Sequence, residues 1–368
     1  AFIVEKTDPG LSTGAEEKKL GIKGSSTRTV IMENCRIPKD RLLGEIGKGH
    51  KIAFGILNIG RFKLGVGSQG GMKRVLEYTI RYTTERQQFG KSINTFGLIQ
   101  QKLADMATRI FVCEAMNFRT VGYIDEALAG TDWASPTAGA DKMAAIDEFA
   151  IECSITKVWA SEALFFLADE AVQAYGGYGF SAEYPPEKAL RDCRINRIFE
   201  GTNEINRLLI AGTLLKRAMK GELPLLQFGQ QVAKEIANPV KPDAFTGPLA
   251  RLKHGVELSK RQCMLAAGLA VQVLGQKLID NQEVMGRMSN MLMEIYAMES
   301  AIVRAERMLE AGHRWAQVAR DITELYVNES WHKVHGDARM LCADVVEGEA
   351  LRHALAGVKA FTEFHPTS

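Results

Sequence analysis

Apolar and polar positions first recur in short runs, over about 45 residues, and then switch to a helical period for the rest of the chain. Residues 1–5 and 29–36, enriched in Val, Ile and Thr, read as strands divided by Pro9-Gly10 and Gly24-Ser25-Ser26 turn chemistry. Two strands do not make a stable sheet alone. They are expected to be the tail of a sheet whose other strands precede this chain. From about residue 47, Ile52, Phe54, Ile56, Leu57, Val66, Val75, Leu76 and Ile80 mark a long helix reaching residue 84. Its glycines weaken it but permit a close helical neighbour. Further helices are predicted over 96–129, 140–175, 186–197 and 202–220, with a loop at 130–139 and a glycine stop at 176–179. Long antiparallel helices on short connections predict a bundle.

Pro224, Pro239, Pro242 and Gly247-Pro248 then mark a linker, beyond which 249–276, 281–311, 317–335 and 347–364 read as more helices. The expected chain is mainly α, with the end of a small β-domain (1–45), a helical bundle (46–221), a linker (222–248) and an extra C-terminal helical domain (249–368).

Composition narrows the chemistry. Forty-six basic against 44 acidic residues give net +2, unlike the basic stripe of a nucleic-acid binder, so none is expected as partner. The 46% hydrophobic and 24% charged content excludes a disordered chain. Six dispersed cysteines without a C-x-x-C pair suggest reduced, intracellular thiols rather than a zinc cage or disulfide framework. No run of about 18 apolar residues suggests a membrane-spanning helix. The first residues lack the features of a signal peptide and suggest a chain that begins inside a larger protein. His332 and His335 stand three apart with no matching carboxylate or cysteine set, and no metal is expected. Met285, Met288, Met291, Met293 and Met298 are expected to pack the core. Lys216, Arg217 and Lys220, followed by Leu223, Leu225, Leu226 and Phe228, offer a basic amphipathic segment for peripheral membrane contact, although a plain linker is favoured.

The most specific segment is Arg191 to Ile205. Glu200 follows Ile198-Phe199 and precedes Gly201, where one helix should end and another begin. Apolar neighbours forming a cleft would suit it to act as a general base at neutral pH. Gly201-Thr202-Asn203 offers backbone N–H groups at a helix start, a natural anion site. A solvated loop acid beside a plain helix cap fits the same residues.

Residues 191–211, RDCRINRIFEGTNEINRLLIA, closely resemble the signature of the acyl-CoA dehydrogenase family, whose base is the Glu of this E-G-T motif. Three further segments match in the expected order: 19–50, like the exit from the family's middle β-domain; 81–106, with its R-x-x-F-G; and 171–192, with its Gln-x-x-Gly-Gly turn. The continuation past residue 220 resembles the very-long-chain branch.

The resemblance implies a four-helix bundle that oxidises a long- or very-long-chain acyl-CoA to the trans-2-enoyl-CoA in fatty-acid β-oxidation. Glu200 would take the α-proton and the flavin N5 of FAD the hydride. It implies cofactor contacts at Arg86, Phe89, Gln173, Gly176, Gly177, Thr202, Asn203 and Glu204, and substrate contacts at Asn58, Ile59, Gly60, Arg61, Phe199 and Gly201. It further implies a homodimer sharing FAD across its interface, and an electron-transfer flavoprotein as acceptor. The compartment would be a bacterial cytoplasm, or the mitochondrial matrix with its inner-membrane surface. The alternative is a non-enzymatic helical scaffold or assembly factor that keeps the motif. The family's N-terminal helical domain and first flavin-contacting strands are not found here, so residues 1–368 alone are expected to bind FAD weakly or not at all and to be inactive.

One inference is geometric. Arg61 and Arg86 are 25 positions apart on one predicted helix, hence roughly 37 Å apart at 1.5 Å per residue. They cannot serve one compact site. Arg86 is therefore expected to reach a flavin held mainly by a second copy.

Overall fold

The computed structural model describes residues 1–135, 137–238 and 244–363, without the side chain of Leu226. Pro136 of the expected loop and Pro239 and Pro242 of the expected linker lie outside the described residues. The predicted β-rich front is a two-stranded antiparallel hairpin, but its first strand lies later than expected. β1 is Leu11–Glu16 and β2 is Arg28–Met32, while Phe2 makes only an isolated bridge to Leu42. The Leu-Ser-Thr-Gly-Ala-Glu of β1 is too mixed to show a period of two. The hairpin is held against the body of the molecule, where the Ile22 N–H donates to Asp192 at 2.6 Å and Arg191 donates to the Leu20 carbonyl at 3.0 Å.

The predicted long helix is present as α1, Gly49–Glu85, a single element of 37 residues. Its packing depends on glycine. A Cβ at Gly65 would stand 3.1 Å from the Asn117 amide and 3.3 Å from the Thr156 side chain, so the bare backbone lets neighbouring helices close in. Those neighbours are α2, Gly97–Leu128, and α4, Ala150–Tyr175. α4 is the central rod, with Ile155, Val158, Leu164, Leu167, Ala168 and Ala171 all in the core. The helix expected over 140–175 is broken at Phe149, where α3, Ala138–Glu148, gives way to α4. α5, Pro185–Cys193, starts on a proline at its first position and runs into a single-turn 3₁₀ segment, Arg194–Arg197. α6, Asn203–Met219, completes the bundle, capped by Thr202, whose hydroxyl accepts from the Ile205 N–H at 3.3 Å.

The expected linker carries a helix of its own. α7, Leu225–Glu235, buries Val232 and packs on α8, Ala250–Leu274, where Glu235 pairs with the buried Arg261. Arg217, read as part of a basic segment, is paired with Glu148 and Glu222. α9, Gln282–Glu310, and α10, Ala316–Val345, follow, with α11, Gly348–Lys359, last. α10 continues ten residues past its expected end. Met285, Met288, Met291, Met293 and Met298 of α9 are buried, as predicted. His335 is half-buried, hydrogen-bonded to Gln262 at 2.9 Å and stacked on Trp331, and no metal-holding cluster occurs among the described residues. Contrary to expectation, the stretch Ala250–Asp280 is long and apolar enough to cross a membrane by composition; here its Leu252, Val256, Leu258 and Ala266 sit in the protein core. That core is one continuous cluster, from Met72 and Val158 in the bundle to Trp331 and Phe361 in the C-terminal helices.

Candidate active site

Glu200 and Gly201 form the turn between the 3₁₀ segment and α6, and both have left-handed backbones, φ 60° and 82°. For glutamate this is strained, and such residues persist only when their surroundings hold them. The holding is explicit. The Glu200 carbonyl accepts from the Arg61 Nε at 3.2 Å and the Asn206 amide at 3.3 Å. The Gly201 carbonyl accepts from the Lys157 Nζ at 2.7 Å and the same Asn206 amide at 2.8 Å. With both carbonyls drawn inward, the Glu200 N–H has no protein acceptor among the described residues.

The carboxylate lies against α1 at Gly60. A Cβ on Gly60 would fall 2.3 Å from Glu200 Oε2 and 2.8 Å from Oε1, so only glycine leaves room. Glu200 is half-buried, not enclosed: Ile198, Phe199 and Ile205 around it, and Ile56 one turn before Gly60, are exposed. The described residues thus build one apolar wall of the expected cleft and not its opposite side.

A second constellation lies at the other end of α1. Arg86, directly after the helix, lines a cleft of about 490 Å³ with Gln88, Gln173, Gly176, Gly177 and Tyr178. Tyr82 stacks on Tyr175 with ring centroids 3.8 Å apart, tying the end of α1 to the end of α4. Gly176 takes φ 59°, and neither it nor Gly177 has any atom within 4 Å of where a Cβ would be, so a ligand can reach this backbone. The Arg86 guanidinium sits 5.4 Å from the Tyr178 ring centre and, among the described residues, pairs with no carboxylate. Phe89 is 90% exposed at the tip of the hairpin of β3, Gln87–Gln88, and β4, Lys91–Ser92, in a left-handed conformation unusual for so bulky a residue. An anion-ready cleft and a poised carboxylate thus sit at opposite ends of one helix.

Acyl-CoA dehydrogenase C-terminal domains match the chain twice, over residues 47–215 and over 258–360. A probable acyl-CoA dehydrogenase of Bacillus subtilis is 44% identical over the whole chain. The chain belongs to the acyl-CoA dehydrogenase family. The very long-chain specific acyl-CoA dehydrogenase of Bos taurus mitochondria is 33% identical over 99% of the chain. The crystal structure of an acyl-CoA dehydrogenase from Bacillus anthracis, complexed with FAD, superposes over all of it with a TM-score of 0.95 at 45% identity. The chain spans 62% of the two bacterial relatives and 55% of the bovine one.

Within this acyl-CoA dehydrogenase chain, several residues expected on the face of the site lie beneath it. Arg61 is buried and joins Asn58 at 2.7 Å, which in turn donates to Asp147 at 2.8 Å. Ile59 packs into a small cluster with Ile124 and Ile146. Gly60 and Phe199 thus reach the open side, while Asn58 and Arg61 hold the loop from below. Gly201 faces Asn206 and Arg61. Asn203, expected on the cofactor, is 1% exposed, its amide spent on Lys157, Ser161 and Glu162. Thr202 is occupied as the helix cap, and Glu204 stays exposed on the first turn. Missed altogether was Lys157, fully buried under the loop. Its signal was a single cation in the largely apolar run Ile155-Thr156-Lys157-Val158-Trp159-Ala160.

Proposed function

We propose that this chain carries the base and half of the cofactor site of an FAD-dependent dehydrogenase that converts long- or very-long-chain acyl-CoA to trans-2-enoyl-CoA. The observation that carries this reading is the Glu200 carboxylate resting in the space left by Gly60, on a strained turn held by four side-chain hydrogen bonds. That arrangement fixes an acid against an exposed apolar face where a hydrocarbon chain can lie. Glu200 takes the α-proton onto its carboxylate as general base. Its own N–H, freed by the inward carbonyls, donates to the thioester oxygen and stabilises the charge that develops there. Phe199 and Ile198 border the acyl chain, and closure of the cleft draws its other wall from the part of the relatives this chain does not span.

FAD fits the residues present, and when bound it supplies the acceptor for the β-hydrogen, which leaves as hydride. Arg86, the Gln173 amide and the open Gly176-Gly177 backbone suit its pyrophosphate and adenosine end. That cleft and Glu200 lie at opposite ends of α1, which supports a homodimer in which the copy that supplies Arg86 is not the copy that supplies Glu200. An electron-transfer flavoprotein is the proposed acceptor of the electrons, and an intracellular setting, cytoplasmic or mitochondrial, the proposed location. The direct test is the visible spectrum of the full-length protein mixed anaerobically with palmitoyl-CoA. Bleaching of a yellow protein is expected; a colourless protein that co-purifies with partners would make it a scaffold.

A further inference from the structure

We propose that Lys157 is a positioning residue of the reaction, a buried cation that holds the Glu200-Gly201 turn and fixes the field behind the base. This rests on Glu200 being that base. Lys157 is wholly enclosed in the middle of α4, and its Nζ donates to the Gly201 carbonyl at 2.7 Å and to the Asn203 side-chain oxygen at 2.6 Å. The charged groups facing it come from three elements: Arg61 of α1, Glu162 of α4 itself, and Glu200 and Glu204 where α6 begins. Glu162 is already held by Arg207 through two bonds of 2.8 and 2.9 Å, and Arg207 reaches Asn290 of α9 at 2.8 Å. No carboxylate pairs directly with the ammonium among the described residues. Burial, with Arg61 second, therefore pushes Lys157 down to about 8 from its ordinary 10.5.

A buried, incompletely compensated charge is costly to the fold. The fold depends on its hydrogen bonds only in part. Gly201 O also accepts from Asn206 at 2.8 Å and keeps a donor without the amine, while the Asn203 oxygen would be left with the Ser161 hydroxyl at 3.3 Å, whose single proton also reaches the Val158 carbonyl at 3.0 Å. A methionine of similar length would fill the same space without the desolvated charge. The feature that only lysine brings is a positive charge directly under the turn that carries the base. Charge-assisted bonds are shorter and stronger than neutral ones and act without reorganisation in a site closed to water.

The sign of the pH dependence follows. Between about pH 8 and 10.5 the unfolded chain keeps the Lys157 proton that the folded chain has lost, so stability contributed by this site rises with pH through that window. Activity should move the other way, falling as the ammonium is lost.

The experiment compares wild type, Lys157→Met and Glu200→Gln as full-length, FAD-loaded proteins. For Lys157→Met, kcat is expected to fall about tenfold or more with KM for palmitoyl-CoA within about twofold, while the thermal midpoint holds or rises. The wild-type kcat is expected to fall through about pH 8, and the variant to lose that limb. A variant that keeps wild-type kcat and the same alkaline limb overturns the inference, as does one that lowers only the thermal midpoint. Should Lys157→Met not fold, the wild-type profile decides: a kcat level from about pH 7 to about 9.5 overturns the inference and a fall near 8 supports it. Turnover retained by Glu200→Gln would instead remove the base assignment itself.

Discussion

At the scale of single residues, the site depends on an absence. The Glu200 carboxylate occupies the volume where any other residue at position 60 would place its Cβ, 2.3 to 2.8 Å from three of its atoms. Gly60→Ala must therefore push the carboxylate aside by the order of an ångström, since the clashing backbone is fixed in the middle of α1. Displacements of that size at a reacting group cost about a hundredfold in rate. Gly60→Ala is expected to lower kcat by about that factor while FAD stays bound and the thermal midpoint changes little, because a helix interior favours alanine over glycine. Titration of the flavin and steady-state rates check it together. The place of Glu200 at a helix junction was legible in the sequence, and its reading as a base came from the resemblance of the E-G-T motif, since a solvated loop acid fits the same residues. The inward turn of Asn58, Ile59 and Arg61 was not. Four consecutive residues cover more than one turn of a helix, and a match to a motif does not say which of them faces the ligand. Lys157 was overlooked because a lone lysine in an apolar stretch ordinarily snorkels to water.

At the scale of elements, α1 carries the argument. Its length was legible from hydrophobic periodicity despite five glycines in twelve positions, and the structure keeps it unbroken from Gly49 to Glu85. Propensity argued for a weaker helix; tertiary packing overrode it, since Gly65 is filled by its neighbours' side chains rather than by solvent. The break at Phe149 was not legible, because no proline or glycine marks it, and α10 runs through Gly336, directly after its expected end, to Val345. The continuity of α1 has a functional consequence. On the proposed reading, Glu200 of one copy and Arg86 of another complete each site, so two separately inactive variants, Glu200→Gln and Arg86→Glu, should complement one another. After subunit exchange in a mixture of the two, about a quarter of wild-type activity is expected, from the one intact site in each mixed dimer. No recovery in a mixture shown to contain mixed dimers would mean that each chain serves its own flavin.

At the scale of the whole molecule, the expected bundle and the further helical domain are packed against each other. One apolar core runs through both, and Arg207 of α6 is tied to Asn290 of α9. Periodicity shows which face of a helix is buried but not against what, so the sequence read as two units what the structure packs as one body. The predicted β-rich front is present as an exposed hairpin, and the acid at position 200 has one apolar wall. The proposed function turns on one atom group, the carboxylate of Glu200. The decisive measurement is anaerobic mixing of palmitoyl-CoA with the full-length, FAD-loaded Glu200→Gln protein, followed at the flavin's visible absorption. The flavin should remain bound and oxidised, while the wild type bleaches under the same conditions. Bleaching of the variant at the wild-type rate would show that the α-proton leaves to some other group.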